Sequence, residues 1–321
     1  MKPKQNNFYK FEKFIVLYNP VSTNARRSRR RISQMKKLFP GKEIEIVETS
    51  PDGYAANRKI IKSVAEKFID DTLLGVAAGD GTVSLVLSVL FSEKSLRRRA
   101  EKVVILPLWG GNANDLAHMI NGLSFKMSTK RLFEKSRVLP IYPLKVELRS
   151  TGRGSFKIIA CYASFGASAF AAKNLETPSR RSRKIYRLPG LRLLAELAIV
   201  GYSFLKARTY KARIGGHTKD IYEHIFINGS RLAKIESVPM KLENKEFFEA
   251  VFERKHPVII LNILKALRNR SYGRVSRSKV SFTLVSGVPA QFDGELEEMP
   301  AGTKVTVSLS DRPIKVLSTR L

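Results

Sequence analysis

Four short apolar, β-rich runs begin near Phe14, Ile44, Leu73 and Val103, in steps of 30, 29 and 30 residues. Each has the length of a buried strand. Helical patterns lie between them: Ile32, Met35, Leu38 and Phe39 share one face, and so do Ile60, Ile61, Val64, Ala65 and Phe68. A beat of about 30 residues suits a strand, a crossover helix and the next parallel strand. The first part of the chain is therefore expected to be a doubly wound α/β domain with a parallel sheet. Ligands of such sheets bind outside the carboxyl ends of the strands.

The texture then changes. Runs at Ile141–Leu148, Phe156–Tyr162, Ile221–Asn228, Lys279–Val285 and Thr303–Leu309 predict a mostly antiparallel, β-rich domain. Helical patterns at Leu188–Leu205 and Val258–Leu267 interrupt it. The boundary is placed near Pro143, giving an α/β domain over 1–143 and a β-rich domain over 144–309. Residues 310–321 are free to return to the first domain. No low-complexity linker separates the two, so they are expected to pack together with a cleft between them.

With 321 residues and 43% hydrophobic residues, the chain has material for real cores. Lys plus Arg number 58 and Asp plus Glu 28, a formal net charge of +30. That excess points to an anionic partner: nucleic acid, a membrane surface or a polyphosphate substrate. One cysteine, Cys161, rules out a disulfide framework within the chain, and with only four histidines besides, a structural zinc site is not expected. Met1 to Lys13 is polar and interrupted by charges, unlike a secretory signal. Arg192 and Glu196 break the apolar stretch Leu188–Leu205, which is too mixed to span a bilayer. The expected location is cytoplasmic.

Chemistry concentrates in the loops. The strand at Leu73–Ala78 runs into Gly79-Asp80-Gly81-Thr82, and a helical pattern follows. Glycines in a strand-to-helix turn let backbone N–H groups approach phosphate oxygens at a helix N-terminus. Asp80 can hold Mg²⁺ through water or take a proton from an attacking hydroxyl. As a plain alternative, the tetrapeptide is a tight turn with a Thr cap. The strand at Val103–Leu106 leads to a second such loop, Trp109-Gly110-Gly111-Asn112-Ala113-Asn114-Asp115. Asn19-Pro20 follows the first strand. Three polar loops at one end of a parallel sheet suit a phosphate-bearing ligand. Far along the chain, Asp293-Gly294-Glu295 reads as a hairpin turn. It also offers two carboxylates on alternate residues for acid–base chemistry. No P-loop, protein-kinase catalytic loop, H-E-x-x-H or G-x-S-x-G occurs.

Taken together, these residues resemble the diacylglycerol kinase catalytic family, in its bacterial soluble lipid-kinase branch, related to sphingosine and ceramide kinases. The likeness covers nearly the whole chain. It rests on Asn19-Pro20, on Thr49 with Ala55, on Ala78-Gly79-Asp80-Gly81-Thr82, on Gly111-Asn112-Ala113-Asn114-Asp115, on Tyr162–Gly166 and on Asp293-Gly294-Glu295. The resemblance implies an ATP-binding N-terminal domain, a β-rich lipid-substrate domain and a nucleotide cleft between them. It implies that ATP is contacted by Asn19, Thr49, Gly79, Asp80, Gly81, Thr82, Gly111, Asn112 and Asn114, with Mg²⁺ as the metal. Glu295 is implied as the general base for a lipid hydroxyl, and Asp80 as the base in the sphingosine-kinase branch. The family's structural magnesium site falls near Glu243-Asn244-Lys245, which leaves Glu243 as the metal-ligand candidate.

The chain departs from the family pattern at Ala78, at Ser84-Leu85, at Val21 and at Lys245, which stands beside the metal-ligand candidate. Two alternatives stay open: a kinase of a soluble acceptor, like the NAD kinases that share Gly-Gly-Asp-Gly-Thr, and a non-catalytic nucleotide-binding descendant. Arginines cluster at Arg26, Arg27 and Arg29–Arg31, at Arg97–Arg99, at Arg180, Arg181 and Arg183, and at Arg268, Arg270 and Arg274. They read as solvated surface or as a docking face for an anionic membrane. The second option would make the protein peripheral at the inner membrane surface. A specific nucleic-acid partner is not expected, since no recognition module is present. A second copy of the chain, as a homodimer, is a further candidate partner.

Overall fold

The computed structural model describes residues 11–22, 24–111, 114–121, 129–150, 153–176, 192–232, 235–236, 245–253, 274–276 and 279–319. The four spaced runs form strands β1 (Lys13–Tyr18), β2 (Ile44–Glu48), β3 (Thr72–Ala77) and β4 (Val103–Pro107). All four are parallel, in the order β2-β1-β3-β4. The sheet is completed by β20 (Ile314–Ser318), parallel to β4, and β5 (Arg137–Ile141), antiparallel to β20. The end of the described chain thus sits inside the first sheet, between β4 and β5.

Strand alternation sends side chains to both faces. Phe14, Val16 and Tyr18 meet Ile32 and Met35 of α1 (Ala25–Leu38), Phe39 at its C-cap, and Leu132 and Phe133 of α6 (Thr129–Lys135). Ile15 and Leu17 face the other way, toward α2 (Tyr54–Glu66), α3 (Asp80–Ser92), α4 (Lys94–Ala100) and α5 (Asp115–Asn121). α3 is buried along most of its length, from Val83 to Phe91. A helix apolar all round must be covered on every side. Its second cover is β7 (Arg153–Ile159), whose Ile158 joins the same core. α3 therefore joins the two halves of the molecule.

Among the described residues, two six-stranded antiparallel sheets make up the β-rich part. One runs β10-β9-β16-β19-β6-β7, with β6 Leu144–Ser150, β9 Tyr210–Ile214, β10 His217–Ile221, β16 Val280–Leu284 and β19 Lys304–Leu309. The other runs β15-β14-β11-β8-β17-β18, with β8 Tyr162–Gly166, β11 Glu223–Ile227, β14 Phe247–Phe252, β15 Arg274–Ser276, β17 Val288–Phe292 and β18 Glu295–Met299. A short pair, β12 (Arg231–Leu232) and β13 (Ile235–Glu236), stands apart. The core between the large sheets centres on Phe165, which is fully buried. Its ring meets Phe226, Phe282 and Phe292 edge-on, with centroids 5.3–6.3 Å apart. The expected fold class, α/β followed by an antiparallel β-rich part, is the one observed.

Locally, two of the apolar runs each divide between two strands. The apolar run Phe156–Tyr162 is two strands, β7 and β8, in different sheets with a bend at Ala160-Cys161. The run Ile141–Leu148 likewise divides between β5 and β6. The described part of the Leu188–Leu205 pattern is helix α8 (Arg192–Lys206). It packs on α7 (Ala167–Glu176), while Tyr202 and Leu205 remain about 60% exposed. The Val258–Leu267 pattern lies outside the described residues. Among the described residues no helix is long and apolar enough to cross a membrane.

Truncating Phe165 to alanine removes the ring at the centre of the sandwich. A loss of about 3–5 kcal/mol is expected, read as a lowered midpoint in urea unfolding. A variant as stable as the parent would show that this cluster does not carry the core.

Candidate active site

The carboxyl ends of β1, β2, β3 and β4 bring Asn19, Thr49, Gly79–Thr82, Gly111 and Asn114 to one edge of the first sheet. In the order β2-β1-β3-β4 the chain leaves β1 in opposite directions, so the loops after β1 and β3 flank a topological switch point. Asn19 makes a tight turn there, its Oδ1 accepting the Val21 N–H at 3.0 Å. The Thr49 N–H donates to the Tyr18 carbonyl at 2.9 Å, and the residue is buried.

The glycines of the loop after β4 are needed for close approach to the loop after β3. A Cβ on Gly111 would stand 2.3 Å from the Gly79 Cα, and one on Gly110 would stand 2.5 Å from the Ala78 Cα. The loop after β3 needs no left-handed residue: Gly79 has φ −84° and Ala78 is not among the residues with positive φ. Alanine is therefore accommodated where the family has its first glycine. The loop after β4 is more tightly wound, with Trp109 at φ +52° and Asn114 at φ +54°. The Asn114 side chain closes this loop, accepting from the Gly111 N–H at 2.9 Å and donating to the Gly111 carbonyl at 2.7 Å. Asn24 also donates to that carbonyl, at 2.6 Å, which ties α1 to the loop. The Arg31 guanidinium lies 4.0 Å above the Trp109 ring. Burial lowers the Arg31 pKa to about 10.

Asp80 begins α3 but reaches across to α5. Its carboxylate accepts the Asp115 N–H at 2.8 Å and the Leu116 N–H at 3.2 Å, capping that helix. Burial, with Asp115 and Asp293 nearby, pushes the Asp80 carboxyl up to about 8.

The Asp293-Gly294 pair forms a two-residue hairpin turn between β17 and β18, both residues left-handed at φ +48° and +93°. The Asp293 carboxylate is buried and accepts the N–H groups of Ala160 (2.7 Å), Cys161 (3.1 Å) and Tyr162 (2.7 Å). It also accepts the Ser84 hydroxyl. Burial raises its pKa to about 6, against the hydrogen bonds that favour the anion. Ser84 and Ser88 further accept from the Ala160 and Ile158 N–H groups, both at 3.0 Å, and bind α3 to β7.

This anchor delivers Glu295 to the cleft. A Cβ on Gly81 would lie 3.4 Å from the Asp293 carbonyl oxygen and 3.5 Å from the Glu295 Cγ. The Glu295 side chain is 36% exposed. It borders a small cleft with Tyr54, Leu85, Lys157, Ile159 and Phe292. Burial pushes its carboxyl up to about 7; Lys157 opposes the rise, while Glu297 and Asp293 add to it.

Neither Lys157 nor Ser84 as a ligand of Asp293 is among the residues expected from the sequence, and Arg31 stands there only as one of the α1 arginine cluster. Lys157 left a signal as the charged residue in the run Phe156–Tyr162. Two candidates, Asn112 and Glu243, lie outside the described residues. Among the described residues no three of His, Cys, Asp and Glu form a metal-binding group. Asp80 and Asp293 already accept backbone N–H groups, so the described carboxylates do not fit a resident magnesium site.

Residues 13–139 match the model of the diacylglycerol kinase catalytic domain. Among solved structures, the chain is similar to a diacylglycerol kinase from Bacillus anthracis, with a TM-score of 0.61 at 15% identity over 96% of this chain and 97% of that one. It is also similar to another solved structure from Bacillus anthracis, described as a putative diacylglycerol kinase, with a TM-score of 0.64 at 18% identity over 96% and 97%. At these identities the likeness is one of fold. No curated protein matches the sequence.

The raised Asp80 pKa has a consequence for stability. The folded state holds a proton that the unfolded carboxyl releases above about pH 4, so stability falls as pH rises toward about 8. Asp80→Asn keeps one acceptor for α5 and cannot ionise. Its urea midpoint should fall less than the parent's between pH 5 and pH 8. Parallel profiles for the two proteins would remove Asp80 from the account.

Proposed function

We propose, from the match of residues 13–139 to the diacylglycerol kinase catalytic domain model, that the chain is a kinase that transfers the γ-phosphoryl group of ATP to a hydroxyl of a diacylglycerol-like lipid. The observation that carries this reading is the position of Glu295. Its carboxylate lies against Gly81 at the start of α3, half in water, on the rim of the cleft between the parallel sheet and the β-sandwich.

ATP enters as a substrate together with its magnesium ion. The loop after β3 leads into the α3 N-terminus, which carries no side-chain cap and adds favourable partial charge for phosphate. Glu295 takes the proton of the acceptor hydroxyl as its oxygen attacks the γ-phosphorus; ADP leaves with the bridging oxygen and its electron pair. A base with a pKa of about 7 is substantially ionised at neutral pH and still basic enough to accept that proton. Phosphoryl transfer asks the protein mainly for alignment and charge neutralisation. Asp80 is less suited to the role of base, because α5 already holds its carboxylate through two N–H groups.

The lipid acceptor is favoured by the Asp-Gly-Glu hairpin and by the charge of +30, which suits approach to an anionic bilayer. Arg26, Arg27, Arg29 and Arg30 are exposed on α1, next to the loop after β1. The protein would then act peripherally at the inner membrane surface.

The test is transfer of labelled γ-phosphate in the presence of vesicles holding diacylglycerols, ceramide and phosphatidylglycerol. A labelled diacylglycerol product is expected. Label appearing only on a soluble acceptor would replace the lipid by that acceptor. Bound ATP without transfer to any acceptor would make the chain a non-catalytic member. Glu295→Gln should lower kcat by roughly 10²–10⁴-fold while ATP still binds. Unchanged turnover would remove Glu295 as the base.

A further inference from the structure

Lys157 belongs to β7, yet its ammonium group reaches the cleft that Glu295 borders. Its side chain is only 14% exposed. The ammonium contacts a Glu297 carboxylate oxygen directly and lies 4.0 Å from Glu295 Oε2. It also sits 5.1 Å from the Phe292 ring centroid and 5.7 Å from that of Tyr54. Glu295 and Glu297 alternate on β18 and so point to one side of the strand. A flexible lysine is here confined by two rings and two carboxylates, and an ion pair of low exposure is screened less than one on an open surface.

We propose that Lys157 is a positioning residue for Glu295: Glu297 and the Phe292 ring hold its ammonium group beside the Glu295 carboxylate, which keeps that carboxylate ionised and directed into the cleft. The inference rests on Glu295 being the base. The ionisable and charged groups facing Glu295 are Lys157 from β7, Glu297 from β18 and Asp293 from the hairpin turn. Tyr54 faces the same cleft from α2, and the α3 side chains there, Ser84, Leu85 and Ser88, carry no charge.

The two neighbours act on Glu295 with opposite sign. A positive charge favours the carboxylate and lowers its pKa; a negative one raises it. Removing Lys157 must therefore raise the Glu295 pKa. Removing the Glu297 charge must lower it, and also frees Lys157 for Glu295. A side chain that merely fills space would not produce opposite shifts.

The experiment compares the full-length parent with Lys157→Met, Lys157→Arg, Glu297→Gln and Glu295→Gln. The ¹³C carboxyl resonance of Glu295, assigned by its loss in Glu295→Gln, is titrated without turnover, and kcat and KM for ATP are followed against pH. The parent should titrate near 7. In Lys157→Met the midpoint and the acid limb of kcat should move up by about one pH unit, lowering kcat about tenfold on that limb. KM for ATP should change less than about twofold, since uniform binding is untouched. Lys157→Arg should return the limb toward the parent, and Glu297→Gln should move it down. An unmoved titration in Lys157→Met overturns the proposal, as does a raised KM for ATP with kcat retained, which would make Lys157 a nucleotide ligand. Full turnover in Glu295→Gln removes the base itself and this proposal with it. Loss of turnover there with an unmoved Lys157→Met titration removes Lys157 alone.

Discussion

The buried Asp293 carboxylate is the interaction on which the site depends. It gathers the N–H groups of Ala160, Cys161 and Tyr162, so the chain bends between β7 and β8 and crosses from one sheet of the sandwich to the other. Through Ser84 it also grips α3, the helix that packs against both the parallel-sheet half and β7. A buried carboxylate costs several kcal/mol unless it is well hydrogen-bonded; this one is satisfied by three backbone donors and a hydroxyl. Its rigidity passes along two residues of hairpin to Glu295.

The glycine-rich loops complete the frame. Gly79 meets Gly111, and Gly110 meets Ala78, at distances that leave no room for a Cβ on the later loop. The two loops act as one surface because their backbones touch. Asp80 strengthens that surface by capping α5 from the start of α3. The polar residues at the sheet edge thus spend much of their hydrogen-bonding capacity on one another, while Glu295 borders the cleft with its side chain 36% exposed.

Much of the fold was legible before the structure. The 30-residue beat marks β1 to β4: β1, β3 and β4 are buried almost throughout and read as continuous apolar runs, while the edge strand β2 mixes Ile44, Ile46 and Val47 with two glutamates. The glycines after β3 and β4 and the Asp-Gly turn were legible too, since close approach and left-handed backbone each demand few residue types. The bend at Ala160-Cys161 was not. Three apolar residues continue a strand as readily as they turn a corner, and the group that turns this one lies more than 130 residues away. Lys157 was hidden for a related reason: a lone lysine in an apolar run reads as an edge residue until its partners are known.

By itself, the sequence determined the parallel α/β half, the row of polar loops at its carboxyl edge and the hairpin that ends in Glu295. Each of these follows from periodicity or from a residue type that few conformations accept. Only the tertiary structure decided that the hairpin's first carboxylate becomes an internal anchor and its second faces the cleft, that Asp80 caps α5, and that Lys157 stands between Glu295 and Glu297. Those assignments depend on which distant N–H or ammonium group reaches each carboxylate. Local spacing along the chain carries no record of such contacts, because burial and hydrogen bonding at a carboxylate are set by elements that meet only when the sheets pack.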